Sequence, residues 1–214
     1  MTSITATLLT LPAVFVVGHS VAGRPIEAVH VGGNGPVVLV VGCIHGNECA
    51  ALPVVRALQR SHPVGEDLWL IPEANPDGAA RDERVNAHGV DLNRNFPTGW
   101  RPGPHDGYYP GPRALSEPES RALVAFIRRL RPALTVWFHQ PQTVVRAWGR
   151  SRAAARHYAR AVGMRYRSEI WPTGAATRWQ NGLGETSFVV ELAPGPLDAA
   201  GVRRHVHALL RLAR

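Results

Sequence analysis

The stretch from Pro36 to Glu48, PVVLVVGCIHGNE, sets the tightest limit on what this chain can fold into. Val37–Gly42 is an unbroken apolar run rich in β-branched side chains, the pattern of a strand buried on both faces of a parallel sheet. Gly42 ends the run, a short loop carries His45 and Glu48, and helical spacing of Ala50, Ala51, Val54, Val55 and Leu58 follows at once. His45 and Glu48 are three residues apart, so at the start of a helical turn both point the same way. They stand past the carboxyl end of a central strand, where open α/β sheets place their ligands. An imidazole and a carboxylate converging there make half of a zinc site. Alone, the H-x-x-E spacing more often marks a polar surface loop.

The remaining segments extend that unit. Val14–Val17 and Arg24–Val31 read as short strands joined by a Gly-containing turn, and Asp67–Ile71 as another. A helix over Ala50–Arg60 stops at His62–Pro63. From Asn75 a long stretch, NPDGAARDERVNAHGVDLNRNFP, has almost no periodicity, and Thr98–Arg113 continues as a Gly- and Pro-rich loop. An unpatterned loop of that length inside a compact domain is usually functional. Ser116–Glu119 has the form of a capping box opening a helix with Leu123, Val124, Ile127 and Leu130 on its apolar face. Ala133–Phe138 is a buried strand with His139 directly after it, and Thr186–Val190 is another, ended by Glu191. Ser151–Val162, stopped by Gly163, and Pro196–Arg214 read as helices. Alternating strands and helices predict an α/β fold built on one sheet. Residues 1–214 are expected to form a single catalytic domain.

The basic residues are all Arg, 24 of them, and the net charge is +8. Such a surface draws anions. A GC-rich genome is the simpler reason for Arg without Lys, and the Arg are scattered along the sequence with no nucleic-acid motif, so no nucleic-acid partner is expected. No apolar run approaches the roughly 20 residues of a membrane span. Met1–Val17 lacks a basic leader and a clear cleavage site, which leans the expectation towards the cytoplasm. Cys43 and Cys49 are too few for a disulfide framework. Cys43 reads most simply as a small buried side chain, with a local bridge left open.

Three sets of polar groups now stand at carboxyl ends of strands: His45 with Glu48, His139, and Glu191. A catalytic zinc site needs three protein ligands and an open fourth position. His45, Glu48 and His139 supply a two-His, one-carboxylate set for one Zn2+, leaving Glu191 as general base. Arg84 is the candidate to stabilise an oxyanion, and Arg94 with Asn93 the candidates to grip a substrate carboxylate. Taken singly, His139 suits a satisfied core histidine, Glu191 an Arg partner and Arg94 a loop brace. The other histidines, His205 among them, read as surface or helix residues.

In combination these motifs resemble the zinc metallocarboxypeptidase family. The resemblance rests on GCIHGNE at 42–48, NPDG at 75–78, Arg84 followed by GVDLNRNFP at 89–97, the post-strand His139, and TSFVVEL at 186–192, in family order. It implies the same ligands, the same base, the same roles for Arg84, Asn93 and Arg94, and an α/β fold in three layers, α/β/α, with a mixed, mostly parallel central sheet. The family's mobile Tyr has no counterpart around Ile170–Pro172, where Trp171 is the nearest aromatic. The short chain and the WPTGAATRW segment at 171–179 are similar to the compact bacterial murein peptide amidase branch, which cuts γ-D-glutamyl–diaminopimelate bonds. Within that resemblance Arg178 is a candidate for a second substrate carboxylate. The expected partner is a small peptide with a free carboxylate. A general carboxypeptidase, an N-acyl amino-acid deacylase of related fold and a non-catalytic binding module are the competing readings.

Overall fold

The computed structural model describes residues 12–61 and 67–212. One eight-stranded sheet runs through it in the order β1-β2-β4-β3-β5-β8-β6-β7. The strands are β1 (Ala13–His19), β2 (Pro25–Gly32), β3 (Val37–Val41), β4 (Asp67–Ile71), β5 (Leu134–His139), β6 (Val144–Ala147), β7 (Arg165–Ser168) and β8 (Ser187–Glu191). The central four, β4-β3-β5-β8, are parallel, while β1, β2 and β6 join antiparallel to their inner neighbours. The sheet is therefore mixed and mostly parallel at its centre.

Helices cover both faces, because the central strands are apolar on both. Along β3, Val38 and Val40 point into a core shared with α1 (Leu52–Gln59), α4 (Arg152–Val162) and α6 (Ala199–Leu212). Leu39 and Val41 point the other way, to α3 (Pro118–Leu130) and α5 (Ala176–Gly182). The period of two places each side chain in its layer. Losing a side chain such as Phe138 or Phe188 from this packing costs about 3–5 kcal/mol. No helix of the described residues is long and apolar enough to cross a membrane.

Several segments differ from their sequence pattern for identifiable reasons. The helix expected from a Ser116–Glu119 capping box starts at Pro118, with Glu117 at its N-cap and no side-chain cap. Ser116 and Glu119 are drawn elsewhere: the Ser116 hydroxyl donates to Glu117, and Glu119 accepts from the Val21 backbone N–H and the Asn86 amide. Inside the stretch read as irregular, α2 (Pro76–Arg81) forms because the Asn75 side chain caps the Gly78 N–H. The short β6, β7 and α5 carry no periodicity long enough to announce them. His205 is buried in α6, where its Nδ1 meets the Tyr158 hydroxyl at 2.6 Å. Cys43 and Cys49 are joined by a disulfide that closes a ring around His45 and Glu48. The proposed stop at His62–Pro63 and the last two residues of the C-terminal helix lie outside the described residues.

Candidate metal centre

The two strand ends that carry histidines sit side by side. Val41 of β3 pairs with Trp137 of β5, which brings the loop after β3 against His139. Gly46, within that loop, packs its backbone onto Gly78 and Ala79 of α2, where a Cβ would collide with main chain. The GNE and NPDG segments are thus two halves of one backbone contact.

That contact delivers three donor atoms to one point. His45 Nδ1 lies 3.0 Å from Glu48 Oε2, His139 Nδ1 lies 2.9 Å from the same oxygen, and the two Nδ1 atoms are 3.2 Å apart. Donors about 2.0–2.1 Å from a tetrahedral zinc ion stand roughly 3.3 Å from one another, so the spacing fits a zinc-sized cation. His45, Glu48 and His139 are all buried and can hold a metal ion.

Asp91 governs this arrangement, and the sequence pattern did not single it out. One carboxylate oxygen faces His45 Nε2 at 3.0 Å and accepts from the Asn93 N–H. The other accepts two hydrogen bonds from Arg84, at 3.0 and 2.9 Å. An acceptor at Nε2 keeps the proton on that nitrogen and leaves Nδ1 free for a metal. Burial pushes the Asp91 carboxyl up, but His45, Arg84 and Arg94 outweigh it and hold it well below the usual carboxylate range. Glu48 is likewise held far below that range by His139 and His45 against its own burial. Burial lowers the His45 pKa, and Asp91 and Glu48 more than reverse that. The same pair of carboxylates that favours a proton there favours a metal cation in its place.

Glu191 is the register partner of His139 on the neighbouring parallel strand. It is 2% exposed, and its Oε2 is buried without a hydrogen-bond partner. Arg84 uses three of its five N–H donors, two on Asp91 and one on Glu48 at 2.9 Å, leaving two. Arg94 donates to the Asn93 carbonyl and is otherwise free of short contacts, 4.0 Å from Asp91. The Asn93 side-chain oxygen, Oδ1, accepts from the Ala176 N–H, which turns its amide nitrogen to within 3.3 Å of His139 Nε2. The Tyr108 ring lies over both guanidiniums, 4.7 Å from Arg84 and 5.6 Å from Arg94. Arg178 donates to the Trp171 carbonyl and lies beside Gly99. Trp171 is buried 5.8 Å from the His139 ring, with Arg146 on its face.

A profile of the zinc carboxypeptidase family matches residues 64–194, more than half of the chain. The chain belongs to the zinc carboxypeptidase family. Murein peptide amidase A of Escherichia coli (strain K12) is 34% identical over 126 residues, 48% of each chain. The matched stretch thus spans about half the length of that relative. Murein peptide amidase A of Vibrio campbellii (strain ATCC BAA-1116) is 29% identical over 221 residues, 91% of this chain and 85% of the relative. Among solved structures, the murein-tripeptide amidase from Escherichia coli O157 superposes with a TM-score of 0.80 at 25% identity, covering 100% of this chain and 98% of that one. Carboxypeptidase A from Helicoverpa armigera shares the fold, with a TM-score of 0.78 at 19% identity over 95% of this chain and 68% of that one. The three-layer α/β/α architecture is that of the family.

Proposed function

We propose that the chain is one catalytic domain, a zinc-dependent peptidase or amidase that hydrolyses a peptide or amide bond next to a free carboxylate. His45, Glu48 and His139 would hold the ion. The observation that carries this reading is the buried, unpartnered Glu191 Oε2 beside a triad spaced for zinc. Bound zinc supplies a Lewis acid for the scissile carbonyl and lowers the pKa of water to about 7. Glu191 is the group with a lone pair to spare, so it takes the proton of the attacking water and passes it to the leaving amine. The two free N–H donors of Arg84 face the carbonyl oxygen as charge develops on it. Arg94 and the Asn93 amide bind the carboxylate of the leaving residue, a charge-assisted contact suited to a guanidinium. Arg178 gives one N–H to the Trp171 carbonyl and keeps its other donors for a second substrate carboxylate.

The murein peptide amidases among the relatives support a murein peptide as the substrate class, and the resemblance of the sequence motifs to that branch makes γ-D-glutamyl–diaminopimelate the bond to test. The test is release of free diaminopimelate from L-Ala-γ-D-Glu-diaminopimelate by zinc-loaded protein, read by mass spectrometry, with Glu191→Gln as control. The wild type is expected to release it and the variant to bind zinc without turnover. Equal turnover by both would remove Glu191 as the base. Release only from ordinary C-terminal peptides would favour a general carboxypeptidase. For location, the cytoplasmic reading requires the Cys43–Cys49 bridge to be reduced in the cell, since cytosolic thiols are kept so. Thiol labelling in intact cells tests it.

A further inference from the structure

Arg146 Nε and Trp171 Nε1 are buried N–H donors without a hydrogen-bond partner among the described residues. They belong to one unit, since the Arg146 guanidinium lies over the Trp171 ring, 5.1 Å from its centroid. A donor left buried and unpaired destabilises the fold, so a pair of them in contact calls for an acceptor that the fold itself does not supply. The sheet sets both beside the metal centre. On β6, Val145 and Ala147 enter the core under α1, α4 and α6, so Arg146 between them points to the opposite face. Arg146 pairs with Val189 of β8, and Val189 and Trp137 of β5 both lie in the core of that opposite face. Glu191 and His139 stand one strand period beyond Val189 and Trp137, so they share the face with Arg146. The strands run side by side in the order β5-β8-β6. A row therefore leads from His139 through Glu191 to Arg146, and Trp171 bridges its ends, 5.8 Å from the His139 ring. Arg146 is only loosely engaged. Its pair with Glu169 is 3.4 Å long, against 2.9 Å for the Arg84 pairs, and the Glu169 side chain is 46% exposed. Its other contact is a hydrogen bond to the exposed Gln142 side chain.

We infer that Arg146 and Trp171 form the subsite for the side chain of the leaving residue and select one that ends in a carboxylate. Glu191 returns its proton to the leaving amine, so the leaving residue lies on that side of the metal. Its terminal carboxylate goes to Arg94 and Asn93, and its side chain then extends past Glu191 towards β6. There the Arg146 guanidinium and the Trp171 indole N–H donate to the side-chain carboxylate, a charge-assisted contact that an amide matches only weakly and an ammonium not at all. The assignment rests on the hydrolase reading above and deepens it, because that reading places the terminal carboxylate of the leaving residue and leaves its side chain open. Arg178, on the Trp171 carbonyl, is the competing partner for the same carboxylate.

Binding and turnover are measured independently. Zinc-loaded Glu191→Gln protein is titrated by calorimetry with two ligand pairs, each differing in one side-chain carboxylate. One pair is L-Ala-L-Ala-L-Glu and L-Ala-L-Ala-L-Gln; the other is L-Ala-γ-D-Glu-diaminopimelate and its lysine analogue. In the tighter-binding pair, the acidic member is expected to bind about 10- to 100-fold better than the other, the range of a buried hydrogen bond to a charged group. Adding Arg146→Met keeps an apolar stem on Trp171 and should abolish the preference by weakening the acidic member alone. Trp171→Phe keeps a ring beside His139 and should reduce the preference about three- to tenfold through the lost N–H. A purely structural brace would weaken both members alike. Equal affinities within the pair, no binding of any ligand, an equal loss for both members in Arg146→Met, or loss of the preference in Arg178→Ala but not in Arg146→Met would each overturn the assignment. Release of the leaving residue by the wild type tests the hydrolase reading separately: preference without release would sink that reading and leave the subsite standing, and release without preference would do the reverse.

Discussion

Replacing Asp91 by Asn keeps the shape of the side chain and removes its charge and half of its accepting capacity. Asp91 accepts from two donors at each oxygen, His45 Nε2 and the Asn93 N–H on one side and two Arg84 N–H groups on the other. An amide cannot satisfy both sides. With its oxygen towards His45, its NH2 faces the Arg84 guanidinium, and two charge-assisted hydrogen bonds are lost. Each is worth about 1.5–3 kcal/mol. The Arg84 side chain is 23% exposed, so water recovers part, and a net loss on the order of 2–3 kcal/mol in stability follows. With its NH2 towards His45, Nε2 must accept, the proton moves to Nδ1, and the metal loses a ligand. In either orientation His45 is less firmly set, and zinc affinity should fall about 10- to 100-fold. Competition with a chromophoric chelator measures this directly. Asp77→Asn is the control, since Asp77 is a buried acid that anchors Ser20, Ala22 and Arg24 instead. It should cost stability and leave zinc affinity unchanged. An unchanged zinc affinity in Asp91→Asn, or an equal fall in both variants, would refute the view that Asp91 sets the ligand geometry.

Three further outcomes are expected. Burial, helped by Arg204, depresses the His205 pKa to about 4 from an ordinary 6.5. The stability linked to its neutral form is complete above about pH 6.5 and is lost as pH falls towards 4, a span of about 3 kcal/mol in urea melts; His205→Phe should flatten that slope, and an unchanged slope would locate the acid sensitivity elsewhere. Tyr108→Ala should raise KM about two- to fivefold with little change in kcat, while Tyr108→Phe keeps KM, because the ring face over Arg84 and Arg94 is the operative group; a deficit in both variants would implicate the hydroxyl instead. Cys49→Ser opens the ring that holds His45 and Glu48 and should lower stability by up to about 2 kcal/mol and weaken zinc binding; thermal melts that ignore both the substitution and a phosphine reductant would show that the bridge contributes nothing.

What the sequence made legible was whatever burial writes in a repeating pattern. β3, β5 and β8 are buried along their whole lengths or nearly so, and their apolar runs need no context to be read. Once those strands were placed, the polar residues at their carboxyl ends were placed too, which is why His45, His139 and Glu191 could be named together. The illegible parts were decided by partners distant in sequence. α2 contains Pro and Gly and has no apolar stripe; it forms where Gly46 and Gly78 let two main chains touch. Ser116 and Glu119 match a cap, but a buried cluster with Asn86 and Val21 claims them. Asp91 lay in view within GVDLNRNFP, yet its alignment with His45 spans 46 residues and follows no local period. Tyr158 reaches His205 across 47 residues in the same way.

The buried carboxylates show why one of them is chemically different. Asp77, Glu117 and Glu119 accept hydrogen bonds at both oxygens, and these tie the β1–β2 turn and the long loop to the body. Asp91 and Glu48 are engaged by His45, Arg84, His139 and the Gln140 backbone. Burying a carboxylate without such partners costs several kcal/mol, and folding alone gives no reason to bear that. Glu191 Oε2 is the carboxylate oxygen, among the described residues, that is buried and unpartnered. Satisfying it with a protein donor would lower its basicity and occupy the lone pair needed for proton transfer. A designed donor beside it, one that improved the hydrogen-bond census, should therefore raise thermal stability and lower kcat together. A variant that gained stability at constant kcat would show that the vacant lone pair is not the working group.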